Sequence, residues 1–139
     1  MSIDLGEINY LAVVAAVVLN MTAGALWYSP VLWAKPWMAL TGHTDMSMGG
    51  GSAAIRGYAI SILASLIIAL ALAIVIQLAR ANTIGEGLLL GLLAGVGFVL
   101  TTHAANYAFE QKPLKLYLTN AGYPVISFLS IGALIGVWQ

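Results

Sequence analysis

Every Asp, Glu, Lys and Arg of this 139-residue chain falls outside four apolar stretches, at about residues 8–28, 57–79, 88–107 and 116–138. Each is long enough to cross the ~30 Å hydrocarbon core of a bilayer, which takes about 20 residues of helix. Apolar and polar residues do not alternate with period two along them, so an outer-membrane barrel does not fit. A helix satisfies its own backbone donors and acceptors in lipid. The expected fold class is therefore all-α, an integral membrane four-helix bundle forming one transmembrane domain over 1–139. Composition agrees: 7% of the residues are charged and 61% hydrophobic, where a soluble domain carries about a quarter charged residues.

The same scarcity of charge excludes several functions. Five Lys and Arg balance five Asp and Glu, which leaves no basic surface for nucleic acid. The chain has no cysteine, and with it go disulfides, thiolate metal sites and cysteine nucleophiles. No phosphate loop, HExxH or nucleophile–base pair is present, so no catalytic activity and no cofactor are expected. His43, Met46 and Met48, with Asp45 between them, are donors of the type copper takes. A glycine-rich loop does not preorganise them, and no metal is expected there.

Charges and aromatic residues mark the span ends. Asp4 and Glu7 precede the first stretch without any cationic segment, so a retained span rather than a cleaved leader is expected. Trp27, Tyr28, Trp33 and Trp37 follow the first span, and Tyr107, Tyr117 and Trp138 lie near other ends, as an interfacial aromatic belt requires. Residues 30–40 are apolar and Trp-rich but too short to span, and read as a short interfacial helix. Residues 41–52, with three consecutive glycines, read as a flexible linker. The first and third connections hold Lys35, Arg56, Lys112 and Lys115, against Arg80 alone on the other side. That asymmetry predicts a multi-pass protein of the cell inner (plasma) membrane with both termini extracytoplasmic.

Association of helices in lipid rests on close packing of small residues. The first span offers Ala12, Ala16, Asn20 and Gly24; the second Gly57, Ser61, Ser65, Ala69 and Ala73; the third Gly87, Gly91 and Gly95; the fourth Gly132 and Gly136. These faces predict a tight bundle, and a homo-oligomer is expected as well. A faint repeat relates the two helix pairs: Trp27–Tyr28 and Lys35–Pro36 against Asn106–Tyr107 and Lys112–Pro113, then Gly57–Tyr58 against Gly122–Tyr123.

Polar residues inside the spans are the candidates for chemistry. His103, Asn106, Tyr107 and Glu110 recur at helical spacing on one face of the third span. The structural alternative is that His103 bonds Asn20 or a serine of a neighbouring helix and fixes register. Asn20 lies deep in the first span and must face the interior, because an amide in hydrocarbon is costly. Pro124, inside the fourth span, removes a backbone donor and predicts a local irregularity.

Three blocks carry a family resemblance: NYLAV at 9–13, GALWYSPVLWAKPWMAL at 24–40 and NYAFEQKPLKLYLTNAGY at 106–123, with SIGALIGVW at 130–138 closing the chain. The sequence resembles domain-of-unknown-function family seventeen sixty-one, small four-helix membrane proteins. The resemblance implies fold and location, and no reaction. Its blocks add Trp27, Tyr28, Lys35, Trp37, Lys112, Asn120 and Tyr123 to the candidates His103, Asn106, Tyr107, Glu110 and Asn20 as a ligand-binding set, with the pocket expected between the third span and the Trp-rich segment. A polar cluster ringed by Trp at an interface suits a lipid head group or a small amphiphile. The leading functional expectation is a small binding or transport-like module acting as a homo-oligomer. The alternatives are an accessory subunit docked on partners in a larger membrane complex, or an interfacial enzyme using Glu110, His103 and Tyr107 on a lipid or quinone.

Overall fold

All four expected spans are helices, and short polar signals set their ends. The computed structural model describes residues 1–29, 32, 34–42 and 51–138. A 3-10 turn at Leu5–Glu7 precedes α1 (Tyr10–Trp27), whose N-cap Asn9 accepts from the Ala12 backbone N–H at 3.1 Å. The short helix α2 (Ala34–Thr41) and the long α3 (Gly51–Ala79) follow. Arg80, in the left-handed region at φ 56°, turns the chain out of α3. The helix α4 (Ile84–Glu110) opens on a capping box between Thr83 and Glu86. Gln111, also left-handed at φ 54°, ends α4, and Pro113 leads into α5 (Leu114–Val137). The four long helices are apolar enough to cross a membrane, which makes this an all-helical multi-pass membrane protein.

Two boundaries differ from the sequence reading. The helix α2 runs through Thr41 and α3 starts at Gly51, so both ends of the expected 41–52 linker are helical. Most of that linker, with His43, Asp45, Met46 and Met48, lies outside the described residues, as do Pro30 and Trp33.

The closest contact in the bundle is between α4 and α5. An added Cβ on Gly87 would fall on the Gly132 carbonyl oxygen, one on Gly91 on the Phe128 carbonyl, and one on Gly132 on the Gly87 carbonyl. Gly95 continues the line against Val125 and Phe128. Glycine is needed here because the two backbones touch, as small-residue packing in lipid allows. The helix α5 also receives α1 and α3. The core of Val13, Ala16, Ala69, Leu72, Ala73, Ile76, Ile131 and Ile135 is closed by Ile8 and Ala81 near the end that carries the termini. There Gln77 binds the Asp4 backbone reciprocally, donating to its carbonyl at 2.8 Å and accepting from its N–H at 3.1 Å.

The opposite end opens. Residues 55–64 of α3 are exposed around the whole helix, and no residue of the Thr101–Glu110 portion of α4 is buried. Gly57 and Ser61 therefore leave the packing face predicted for them: Ser61 is exposed, and a Cβ at Gly57 would meet nothing. The two halves of the faint repeat are unequal at this point, since Tyr58 is 65% exposed while its counterpart Tyr123 is hydrogen-bonded into the bundle.

The Ser127 hydroxyl of α5 is buried and has no hydrogen-bond partner among the described residues. An unsatisfied buried hydroxyl costs about 1–3 kcal/mol. Ser127→Ala is expected to raise the thermal midpoint in detergent by a few degrees; a fall would show that the hydroxyl is bonded in the folded protein.

Candidate functional site

Two features stand out: a polar network on the opened side that ties α1, α3, α4 and α5 together, and an apolar groove nearer the end that carries the termini. The network begins at Asn20, which is 4% exposed. Its amide nitrogen donates to Ser65 Oγ of α3 at 2.6 Å, and the Tyr123 hydroxyl donates to its carbonyl and side-chain oxygens at 3.1 Å each. The ring of Tyr123 meets Tyr28 edge-on at 5.9 Å, and Tyr28 meets Trp37 of α2 edge-on at 5.8 Å. The Tyr28 hydroxyl donates to Asn120 Oδ1 at 3.2 Å, and Asn120 Nδ2 donates to the Tyr107 hydroxyl at 2.8 Å. Trp27 donates its indole N–H to the Thr119 carbonyl at 2.8 Å.

Gly24 and Gly122 allow this network to form. A Cβ on Gly24 would lie 2.8 Å from the Tyr123 hydroxyl, and one on Gly122 3.0 Å from the Trp27 ring. Aromatic rings thus lie directly against helix backbone. Their polar tips pair with one another, which is how buried amides and phenols become tolerable in lipid.

Of the twelve candidate residues, Asn20, Trp27, Tyr28, Trp37, Tyr107, Asn120 and Tyr123 come together here. His103, Asn106, Glu110, Lys35 and Lys112 do not. The predicted polar face of the third span is a broad stripe, and its Tyr107 edge is the part hydrogen-bonded to α5. Asn106 and Glu110 are exposed. His103 directs Nδ1 to the Val99 carbonyl of its own helix at 2.8 Å, while Asn20 takes Ser65 instead. Lys35 and Lys112 are exposed as well, and the anticipated pairing of Glu110 with lysine is not found among the described residues.

The sequence reading missed two members of this region. Thr119 is buried and returns its hydroxyl to the Lys115 carbonyl at 2.8 Å. Tyr117 packs on Tyr107 at 5.1 Å and donates to the Leu100 carbonyl at 2.9 Å. Tyr117 read as an interfacial belt residue, and nothing in its spacing marks the difference.

Residues Leu93–Leu100 of α4 are π-helical. The carbonyls at its end are taken up by side chains: Thr101 donates to Gly97 and Thr102 to Phe98, His103 meets Val99, and Tyr117 donates to Leu100. Wider turns of this type recur at functional positions in helices. This one forms a wall of the larger cavity, about 340 Å³, lined by Leu72, Val75, Leu90, Leu93, Ala94, Phe98 and Phe128 among others. A smaller space of about 90 Å³ lies at the terminal end, beside Asn9, Gln77 and Trp138. Neither lies between the third span and the Trp-rich segment. Between the third span and the Trp-rich segment, Tyr28 meets Trp37 and Asn120, and Asn120 meets Tyr107.

A family model described as "Protein of unknown function (DUF1761)" matches residues 11–136. No match is found among curated proteins or solved structures.

Proposed function

Because the chain belongs to the DUF1761 family, whose description assigns no activity, we propose from the geometry that it is a non-catalytic binding module embedded in the inner membrane. Its ligand is a hydrophobic or amphiphilic molecule held in the cavity between α3, α4 and α5. The observation that carries this reading is the groove itself: about 340 Å³, open on its outer side, where Phe98, Leu93 and Val75 are exposed, and walled by apolar side chains from three helices. The tyrosine–asparagine network is the scaffold that holds the neighbouring helix ends. Enzymatic action by His103, Tyr107 and Glu110 is disfavoured, since none of the three lines this cavity and Glu110 is exposed.

The asymmetry of Lys and Arg supports extracytoplasmic termini. The exposed first half of α3 supports self-association, with Gly57 and Ser61 as the surface a second copy would meet. Cysteine crosslinking at Gly57 is expected to give dimers in membranes; monomer alone would remove that part of the reading.

Native mass spectrometry of gently extracted protein tests the binding role. The expected result is a reproducible non-covalent adduct that Ala94→Trp reduces at least tenfold by filling the cavity. A wild-type protein that never carries an adduct would overturn the proposal.

A further inference from the structure

We propose that the groove holds an acyl tail of a zwitterionic, primary-ammonium phospholipid from the leaflet at the terminal end, its phosphate on Arg80 and its ammonium on Glu86. This rests on the binding role proposed above and names its ligand class.

Depth places the groove in that leaflet. The helices α3 and α4 are joined by the turn at residues 80–83, and Arg80 and Glu86 flank it. At ~1.5 Å per residue, the α3 wall lies about 8 Å below Arg80 at Val75 and about 12 Å below it at Leu72. The α4 wall starts at Leu90, about 6 Å below Glu86, and ends at Phe98, about 18 Å below it. One leaflet contributes ~15 Å of hydrocarbon. Phe98 also stands near the middle of α4, so the groove runs from just under the interface to the bilayer midplane.

A tail can reach it from the side. Phe128 of α5, packed against the core, forms the back, while Val75, Leu93 and Phe98 are exposed at the rim. In a membrane the open side faces hydrocarbon, so a tail enters without crossing a polar barrier.

Charge selects the head group. Among the side chains of the described residues, the terminal end carries Asp4, Glu7 and Glu86 against Arg80, and all four are exposed. An anionic head would meet more carboxylate than guanidinium there, and like charges oppose it. A zwitterion uses both signs: guanidinium suits phosphate, and carboxylate suits ammonium. Glu86 Oε2 accepts from the Asn82 N–H at 2.9 Å, the Thr83 N–H at 3.1 Å and the Thr83 hydroxyl at 3.0 Å. Its Oε1 has no hydrogen-bond partner among the described residues, and can accept from a lipid. A primary ammonium has three N–H donors to offer it. A trimethylated choline has none.

The test presents the purified chain with vesicles holding equal parts of dioleoyl phosphatidylethanolamine, phosphatidylcholine and phosphatidylglycerol, identical in tail, and reads retained lipid by native mass spectrometry. Wild type is expected to retain phosphatidylethanolamine about fivefold over the other two. Glu86→Gln, which keeps the capping box, should remove the preference over phosphatidylcholine. Arg80→Gln should cut retention of phosphatidylethanolamine and phosphatidylcholine together, about fivefold, since both carry the phosphate. Ala94→Trp, or Val75→Phe from the facing helix if the first does not fold, should reduce retention of all three lipids.

Equal retention of the three by wild type, or preference for either of the others, with loss in Ala94→Trp, would overturn the head-group assignment and leave the groove's binding role standing. A phosphatidylethanolamine preference that persists in Glu86→Gln would do the same. Wild type free of lipid, or undiminished retention in folded groove-filling variants, would overturn both.

Discussion

Gly91→Leu should abolish the stable bundle. The first added carbon already meets the Phe128 carbonyl and lies 3.1 Å from the Leu129 Cα, all of it backbone that no rotamer change can move aside. Separating α4 from α5 would loosen the closest contact in the molecule along its whole length, because Gly87 and Gly132 lie on the same line. Overpacking a core costs about 1–3 kcal/mol when side chains can yield; here they cannot, and the effect should reach the upper end or exceed it. Denaturant titration in mixed micelles reads this directly. Gly85→Ala is the matched control: its Cβ meets nothing, and exchanging glycine for alanine on an open helix gains up to about 1 kcal/mol. Equal behaviour of the two variants would mean that α4 and α5 do not touch through their glycines.

Asn20→Leu should cost about 2 kcal/mol, despite similar volume and greater apolarity. Ser65 loses its 2.6 Å donor and keeps only a weak contact to the Met21 sulfur at 3.8 Å. Tyr123 loses the side-chain oxygen but retains the Asn20 carbonyl, which limits the damage. The double variant Asn20→Leu with Ser65→Ala should be less destabilised than the sum of the two single changes, because the second change removes the group that the first left unpaired. Strict additivity would show that the two side chains are not coupled. Interhelical hydrogen bonds in membranes are modest as a rule, with an average of about 0.6 kcal/mol. The larger expectation here comes from the position of Asn20, which joins α3 and α5 to α1 at once.

These predictions differ in how much of each is legible without coordinates. The glycines of the third and fourth spans could be read as a packing face from spacing alone, since smooth backbone is a strong means of association in lipid. That Asn20 faces inward follows equally from sequence, because the alternative is an amide in hydrocarbon. The partner does not follow. Sequence offers His103 as a partner for Asn20, and only the packing of α1 beside α3 gives it Ser65 instead. The same holds for the third span: its polar stripe is correctly periodic, yet only its Tyr107 edge bonds to α5, while Asn106 and Glu110 face outward.

The π-helical stretch had no sequence signal beyond Gly95 and Gly97, and glycine occurs throughout this chain. The cavity could not be read either, for a related reason. Leu72, Val75, Leu93 and Phe98 are apolar residues in apolar helices, and in a membrane protein apolarity does not separate a residue that packs from one that faces lipid or lines a void.

What the sequence by itself determined is the number of spans, their helical nature and the small-residue faces. Each follows from local chemistry: twenty uncharged residues in a row have one solvent available to them, and their backbone has one way to be satisfied there. The tertiary structure alone decided which face meets which helix, where the bundle closes and where it opens. Those outcomes depend on backbones coming within contact distance in three dimensions, a property of pairs of helices that no single stretch of sequence contains.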